Sequence, residues 1–92
     1  MSQDNQGQLK QLLLDYAESV REVTLLRDKV SRIGETYTAA GRDLENDPSA
    51  YLDQKYALTS QETLEGLVRA LQVTEERTEQ LKRKAIRLGA PL

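Results

Sequence analysis

The chain has 92 residues, 30% of them charged and 38% apolar, with no Phe, Trp, Cys or His. Without cysteine there are no disulfides and no thiolate metal sites, and without histidine the commonest general base and metal ligand is missing. A net charge of −2, from 15 acidic and 13 basic residues, offers neither nucleic acid nor an anionic membrane an electrostatic footing.

The commonest residues are helix formers (Leu, Glu, Gln, Arg, Lys, Ala), so an all-α chain with a single domain is expected. The longest purely apolar run is Leu12-Leu13-Leu14, which excludes insertion into a bilayer. The start, Met-Ser-Gln-Asp-Asn-Gln-Gly, has neither a basic cluster nor an apolar core, so a cytoplasmic location is expected.

In chain order, residues 1–7 read as a disordered tail and residues 8–89 as one helical-hairpin domain. From Leu9 the apolar residues step by threes and fours through Leu13, Tyr16, Val20, Val23, Leu26, Val30, Ile33, Tyr37, Ala40 and Leu44. That spacing predicts a first helix over 8–45. In this reading the stripe drifts by one residue at Leu26, as on a straight helix of 3.6 residues per turn. Asn46-Asp47-Pro48-Ser49 then interrupts it: Asp47 suits an N-cap and Pro48 a first helical position. A turn over 46–48 follows.

A second helix is expected over 48–88, with Leu64, Leu67, Leu71, Thr74, Thr78, Leu81, Ala85 and Leu88 on one face. Lys82, Arg83, Lys84 and Arg87 complement the negative end of its dipole, Gly89 suits the C-cap, and Pro91 follows. Thr59-x-x-Glu62 matches a capping box where a helix could restart. No Gly or Pro accompanies it, so a continuous helix is the expectation.

Folding the two stripes about Asn46–Asp47 makes facing residue numbers add to about 93 or 94. Tyr37 then faces Tyr56, Leu26 faces Leu67, Val23 faces Leu71, Leu13 faces Leu81, and Leu9 faces Ala85. The fold class is therefore an antiparallel, coiled-coil-like two-helix hairpin. Each helix of such a hairpin buries only one edge, so a partner chain or self-association is expected to complete it. Candidate partner-binding residues are the apolar ones off the seam: Leu12, Leu14, Leu25, Leu58, Val68 and Val73.

No glycine-rich phosphate loop is present, and the acidic runs read as solvated helix faces. No catalytic, cofactor-binding or metal-binding residue is assigned, and the chain is expected not to be an enzyme. Arg27 should snorkel along the seam edge or pair with a carboxylate. Tyr37, Tyr51 and Tyr56 should gather at the closed end.

Leu12-Leu13-Leu14 in helix one, the turn Asp47-Pro48-Ser49-Ala50-Tyr51, and a Gln- and Leu-containing second helix resemble the small helical-hairpin co-chaperones of bacterial type III secretion. The likeness covers most of residues 9–72, and the second helix is longer here. It implies a cytoplasmic chaperone that holds the needle subunit beside a second, helical-repeat chaperone. Asp-Pro, then Tyr, then Gln54-Lys55 is also similar to the tubulin-folding cofactor A family, another hairpin that holds a protein client. Two readings from other classes stay open. One is a structural coiled-coil oligomer of a phage or cytoskeletal assembly. The other is an all-helical chorismate mutase, with Arg21, Arg27, Lys29 and Arg32 available to bind a dicarboxylate, though their spacing does not match that family's motif.

Overall fold

A computed structural model describes the backbone of residues 2–54 and 56–92, and side chains for residues 6–53 and 56–92. Helix α1 runs Ser2–Asn46, α2 Pro48–Gln54 and α3 Gln61–Arg87, with no strand among the described residues. At 1.5 Å rise per residue, the 45 residues of α1 account for the molecule's longest extent of 69 Å. The short helix α2 and the long helix α3 both pack on α1, α3 along most of its length.

The turn forms where Asp47-Pro48 predicts it. Asp47 N–H still donates to Asp43 at 2.8 Å, closing α1. The Asp47 carboxylate then accepts from Ser49 N–H at 3.1 Å and its carbonyl from Ala50 N–H at 2.9 Å, opening α2. Only one residue separates the two helices.

Two expectations are corrected. Helix α1 begins at Ser2 rather than residue 8, so the described part of the expected disordered tail is helical; Met1 lies outside the described residues. The second helix is not continuous over 48–88. Residues 56–60 are non-helical, and α3 starts afresh behind an N-cap at Ser60, one residue beyond the Thr59 of the sequence motif. Ser60 is extended (φ −63°, ψ 153°), and its hydroxyl accepts from Thr63 N–H at 3.2 Å. That bond satisfies one of the donors a new helix leaves free. The break is pinned from outside as well: the Tyr37 hydroxyl donates to the Thr59 carbonyl.

The far end of α3 closes as expected. Gly89 adopts φ 102°, Ala90 N–H donates to Ala85 O at 3.0 Å and Gly89 N–H to Ile86 O at 2.9 Å. This is a Schellman cap, and only the residue at Gly89 needs the left-handed conformation.

The seam of α3 is the predicted one, with Leu64, Leu67, Leu71, Thr74, Thr78, Leu81, Ala85 and Leu88 all buried or half-buried. The seam of α1 keeps Leu9, Tyr16, Val23, Leu26, Val30, Ile33 and Ala40 of the predicted stripe and departs from it at the other four positions. Its covered positions include Leu9, Leu12, Tyr16, Ser19, Val23, Leu26, Val30, Ile33 and Ala40, whereas Leu13, Val20, Tyr37 and Leu44 are 36–51% exposed. Alternating steps of three and four from Leu9 give a strict seven-residue repeat, so the stripe does not drift after all. Columns of this repeat are lettered a to g, with Leu9 and Leu64 at a. Position a then holds Leu9, Tyr16, Val23 and Val30, and position d holds Leu12, Ser19, Leu26 and Ile33.

Ser19 meets Thr78 across the seam at 2.5 Å, so facing residue numbers add to 97, about one helical turn beyond the expected pairing. Leu26 therefore stands level with Leu71 rather than Leu67, and Leu12 level with Ala85. The turn itself stands at Asp47, so the offset arises between α2 and α3, where residues 56–60 leave the continuous helix on which the expected pairing was built.

Candidate functional site

The hairpin seam contains a polar layer. Thr78 donates its hydroxyl proton to the Thr74 carbonyl at 2.7 Å, and Thr74 donates to Ala70 O at 2.7 Å. A hydroxyl has one proton, so the Ser19–Thr78 contact needs Ser19 as donor. Ser19 is 3% exposed and Thr74 8%, yet no buried side-chain polar atom among the described residues lacks a partner. One polar layer in an apolar seam specifies which residues face each other, at a cost in stability.

Around that layer the apolar core is thin. Among the described residues the buried apolar ones are Ala40, Ala85 and Ala90, and no large side chain is fully buried. Leucines of the seam touch one neighbouring helix and solvent, as two helices alone dictate.

The six sequence-predicted partner residues do not converge. Leu12 sits in the seam and is half-buried; Val68 is half-buried on its flank at position e of α3. Leu14 (55% exposed) lies at position f, opposite the seam, and Leu58 (42%) in the non-helical segment. Leu25 (64%) and Val73 (65%) occupy position c of their helices and share one side of the hairpin. The basic residues Arg21, Arg27, Lys29 and Arg32 fall at f, e, g and c, so no anion site gathers them.

Sequence reasoning missed the other side of the hairpin. In an antiparallel pair, columns e of the two helices adjoin each other and columns b flank them; columns g and c lie opposite. On α1 the e and b columns from Lys10 to Gly41 hold Lys10, Leu13, Ala17, Val20, Thr24, Arg27, Ser31, Gly34, Thr38 and Gly41, every one exposed. Only two are charged. Arg27 is engaged, donating from Nη2 and Nε to Glu75 at 2.9 and 3.1 Å. A Cβ added at Gly34 or Gly41 would meet nothing within 4 Å.

Two shallow recesses open on this side. Gln6, Leu9, Lys10, Leu13 and Leu14 line one, and Val20, Val23, Thr24, Arg27, Glu75, Thr78 and Glu79 line the other. The signal was in the sequence: Leu13, Val20, Gly34 and Gly41 fall, with Arg27, on one seven-residue column, but Leu13 and Val20 were expected in the seam.

At the closed end Tyr51 stacks on Tyr56 with ring centroids 5.9 Å apart. The Tyr56 hydroxyl donates to Asp43; that hydrogen bond, then burial and the carboxylate's charge, raise its pKa above the usual tyrosine value. Tyr37 holds the linker at Thr59 instead of joining this stack. Lys55 of the Gln54-Lys55 motif lies outside the described residues, as does the side chain of Gln54. Among the described residues no three His, Cys, Asp or Glu side chains cluster as metal ligands, and no helix is long and apolar enough to cross a membrane.

Comparison with known protein families, with curated proteins and with solved structures finds no match for this chain.

Proposed function

We propose that the protein is a non-catalytic binding module, a small cytoplasmic chaperone or assembly factor that holds one helix of a client protein on the smooth e/b face of α1. The observation that carries this reading is the uncovered apolar surface: among the described residues no large side chain is fully buried, while Leu13, Val20 and Ile86 stand 36–44% exposed on one side. A face of Leu, Val, Ala, Ser, Thr and Gly lets a second backbone come close, and burial of its apolar area supplies the affinity. The resemblance to type III secretion co-chaperones, whose client is a helical subunit, agrees in kind.

A photo-crosslinking residue at Val20 should trap a client chain in the protein's native cells, and the same residue at Glu35, at position f, should not. Equal trapping at both sites, or none at Val20, overturns the reading.

A further inference from the structure

The opposite side of the hairpin, made of columns g and c, has a different chemistry. On α1 it carries Asp15, Glu18 and Glu22, then Leu25, then Lys29 and Arg32. On α3, at the same heights in the pairing set by Ser19 and Thr78, it carries Lys84, Gln80, Arg77, then Val73, then Ala70 and Gly66. Over the half of the hairpin beyond Leu25 and Val73, α1 is acidic where α3 is basic, Arg87 included. Asp15, Glu18, Glu22, Arg77, Lys84 and Arg87 make no ion pair among the described residues. Leu25 and Val73 stand level with one another and are the most exposed large apolar side chains of α1 and α3 among the described residues.

We propose that a second copy of this chain packs on this face, related by a two-fold axis along the hairpin's length. Such an axis preserves height and exchanges the helices, so α1 of each copy lies antiparallel over α3 of the other. The acidic Asp15, Glu18 and Glu22 of one copy then meet Lys84 and Arg77 of the other, twice over. Leu25 and Val73 from both copies form one apolar layer between them. The product is a four-helix bundle in which every neighbour is antiparallel.

Surface area agrees. The chain exposes 7284 Å², whereas a compact monomer of 10.4 kDa exposes about 5,400 Å². The excess of about 1,900 Å² exceeds the roughly 800 Å² each partner contributes to a standard interface. Like charges of a different partner would have no reason to repeat this chain's own pattern in reverse. The self-complementarity selects a second copy, and it leaves the e/b face of each α1 open.

Cysteine pairing tests the geometry, since the chain has no cysteine of its own. Within one hairpin, positions 25 and 73 lie on the outer shoulders of helices about 8–10 Å apart and point away from each other. A disulfide needs Cα atoms within about 7 Å, so it cannot form there. Leu25→Cys and Val73→Cys, each purified alone, should stay uncrosslinked on oxidation, and their equimolar mixture should give a disulfide-linked pair.

Charge reversal is the second arm. The wild type should sediment at about 21 kDa, twice 10.4 kDa. Glu18→Lys/Glu22→Lys and Arg77→Glu/Lys84→Glu should each dimerise at least ~10-fold more weakly, and mixing them should restore the dimer. A hairpin that merely used these charges internally would gain nothing from mixing. A wild type monomeric up to ~100 µM overturns the proposal, as does a mixture of cysteine variants that fails to crosslink. Either result leaves the client face untouched, and loss of crosslinking at Val20 leaves the dimer untouched.

Discussion

Replacing the two hydroxyls that meet in the seam, separately and together, measures whether the polar layer exists as described. Ser19 is 3% exposed and donates at 2.5 Å to a Thr78 hydroxyl whose own proton is committed to Thr74 O. Thr78→Val keeps the side chain's shape but strands the Ser19 hydroxyl in the seam. An unsatisfied buried hydroxyl costs ~1–3 kcal/mol. Ser19 can turn back to the carbonyl four residues earlier on its own helix, which trims the cost to about 1–2 kcal/mol. Ser19→Ala loses one neutral hydrogen bond, ~1 kcal/mol, and regains about half of that in helix propensity. With both changed, no group is left unpaired, and the double variant should lie within ~0.5 kcal/mol of wild type or above it. The coupling between the sites is then about 1–2 kcal/mol. Urea denaturation followed by far-UV circular dichroism, at one fixed protein concentration, reads all four states of the cycle. If the double variant costs as much as the two singles added, the Ser19–Thr78 bond does not form in solution and the pairing that adds to 97 loses its anchor.

Leu71→Ala should destabilise by only about 1–2 kcal/mol, below the range for fully buried leucines, because the hairpin leaves Leu71 half-buried; thermal unfolding checks it. Gly34→Ala should raise stability by roughly 0.5–1 kcal/mol, since the site is helical and open, yet weaken client binding, measured by titration calorimetry. Ser60→Ala should cost about 1 kcal/mol and speed amide exchange in the first turn of α3. The raised pKa of Tyr56 means that its contact with Asp43 contributes stability below the usual tyrosine pKa and loses it as pH rises through the folded value. Ultraviolet titration should place one tyrosine above the others, and Asp43→Asn should bring it back toward them.

The two helices differed in how much of them could be read beforehand, and the reason is local. On α3 the five leucines at a and d positions, Leu64, Leu67, Leu71, Leu81 and Leu88, have polar or small neighbours except at Val68, and they fix the period although Val73 and Ile86 adjoin Thr74 and Ala85. On α1 the d position is twice followed by an equal or better hydrophobe: Leu12 by Leu13, and Ser19 by Val20. Ranking by apolarity therefore selects Leu13 and Val20 and rejects the serine. What decides for Ser19 is a hydrogen bond to a threonine 59 residues away, which no single-helix pattern contains. The break at 56–60 was half legible. A capping signal stood at Thr59–Glu62, but the cap that forms is Ser60 with Thr63, and tyrosine side chains of α1 and the linker hold it. The grouping of the exposed apolar residues was the least legible, because which face an exposed leucine shares depends on the pairing of the helices.

That pairing also assigns the two sides different physics. Beyond Leu25 and Val73 the g/c side carries charges of opposite sign that make no ion pair among the described residues, so association there should be fast and should weaken as salt shortens the reach of those charges. From Lys10 to Gly41 the e/b side of α1 holds Leu13, Ala17, Val20, Ser31, Gly34 and Gly41 with a single charge left free at Lys10, and binding there should change little with salt. Each site also supplies burial that the thin seam lacks, so occupation of either stabilises the hairpin and assists the other through the shared helix α1. A client that binds more tightly at protein concentrations where the chain is dimeric, with the gain abolished by Glu18→Lys/Glu22→Lys, would show that coupling. Client affinity independent of the dimer would mean that α1 is already rigid in the free hairpin, and the two faces would then act separately.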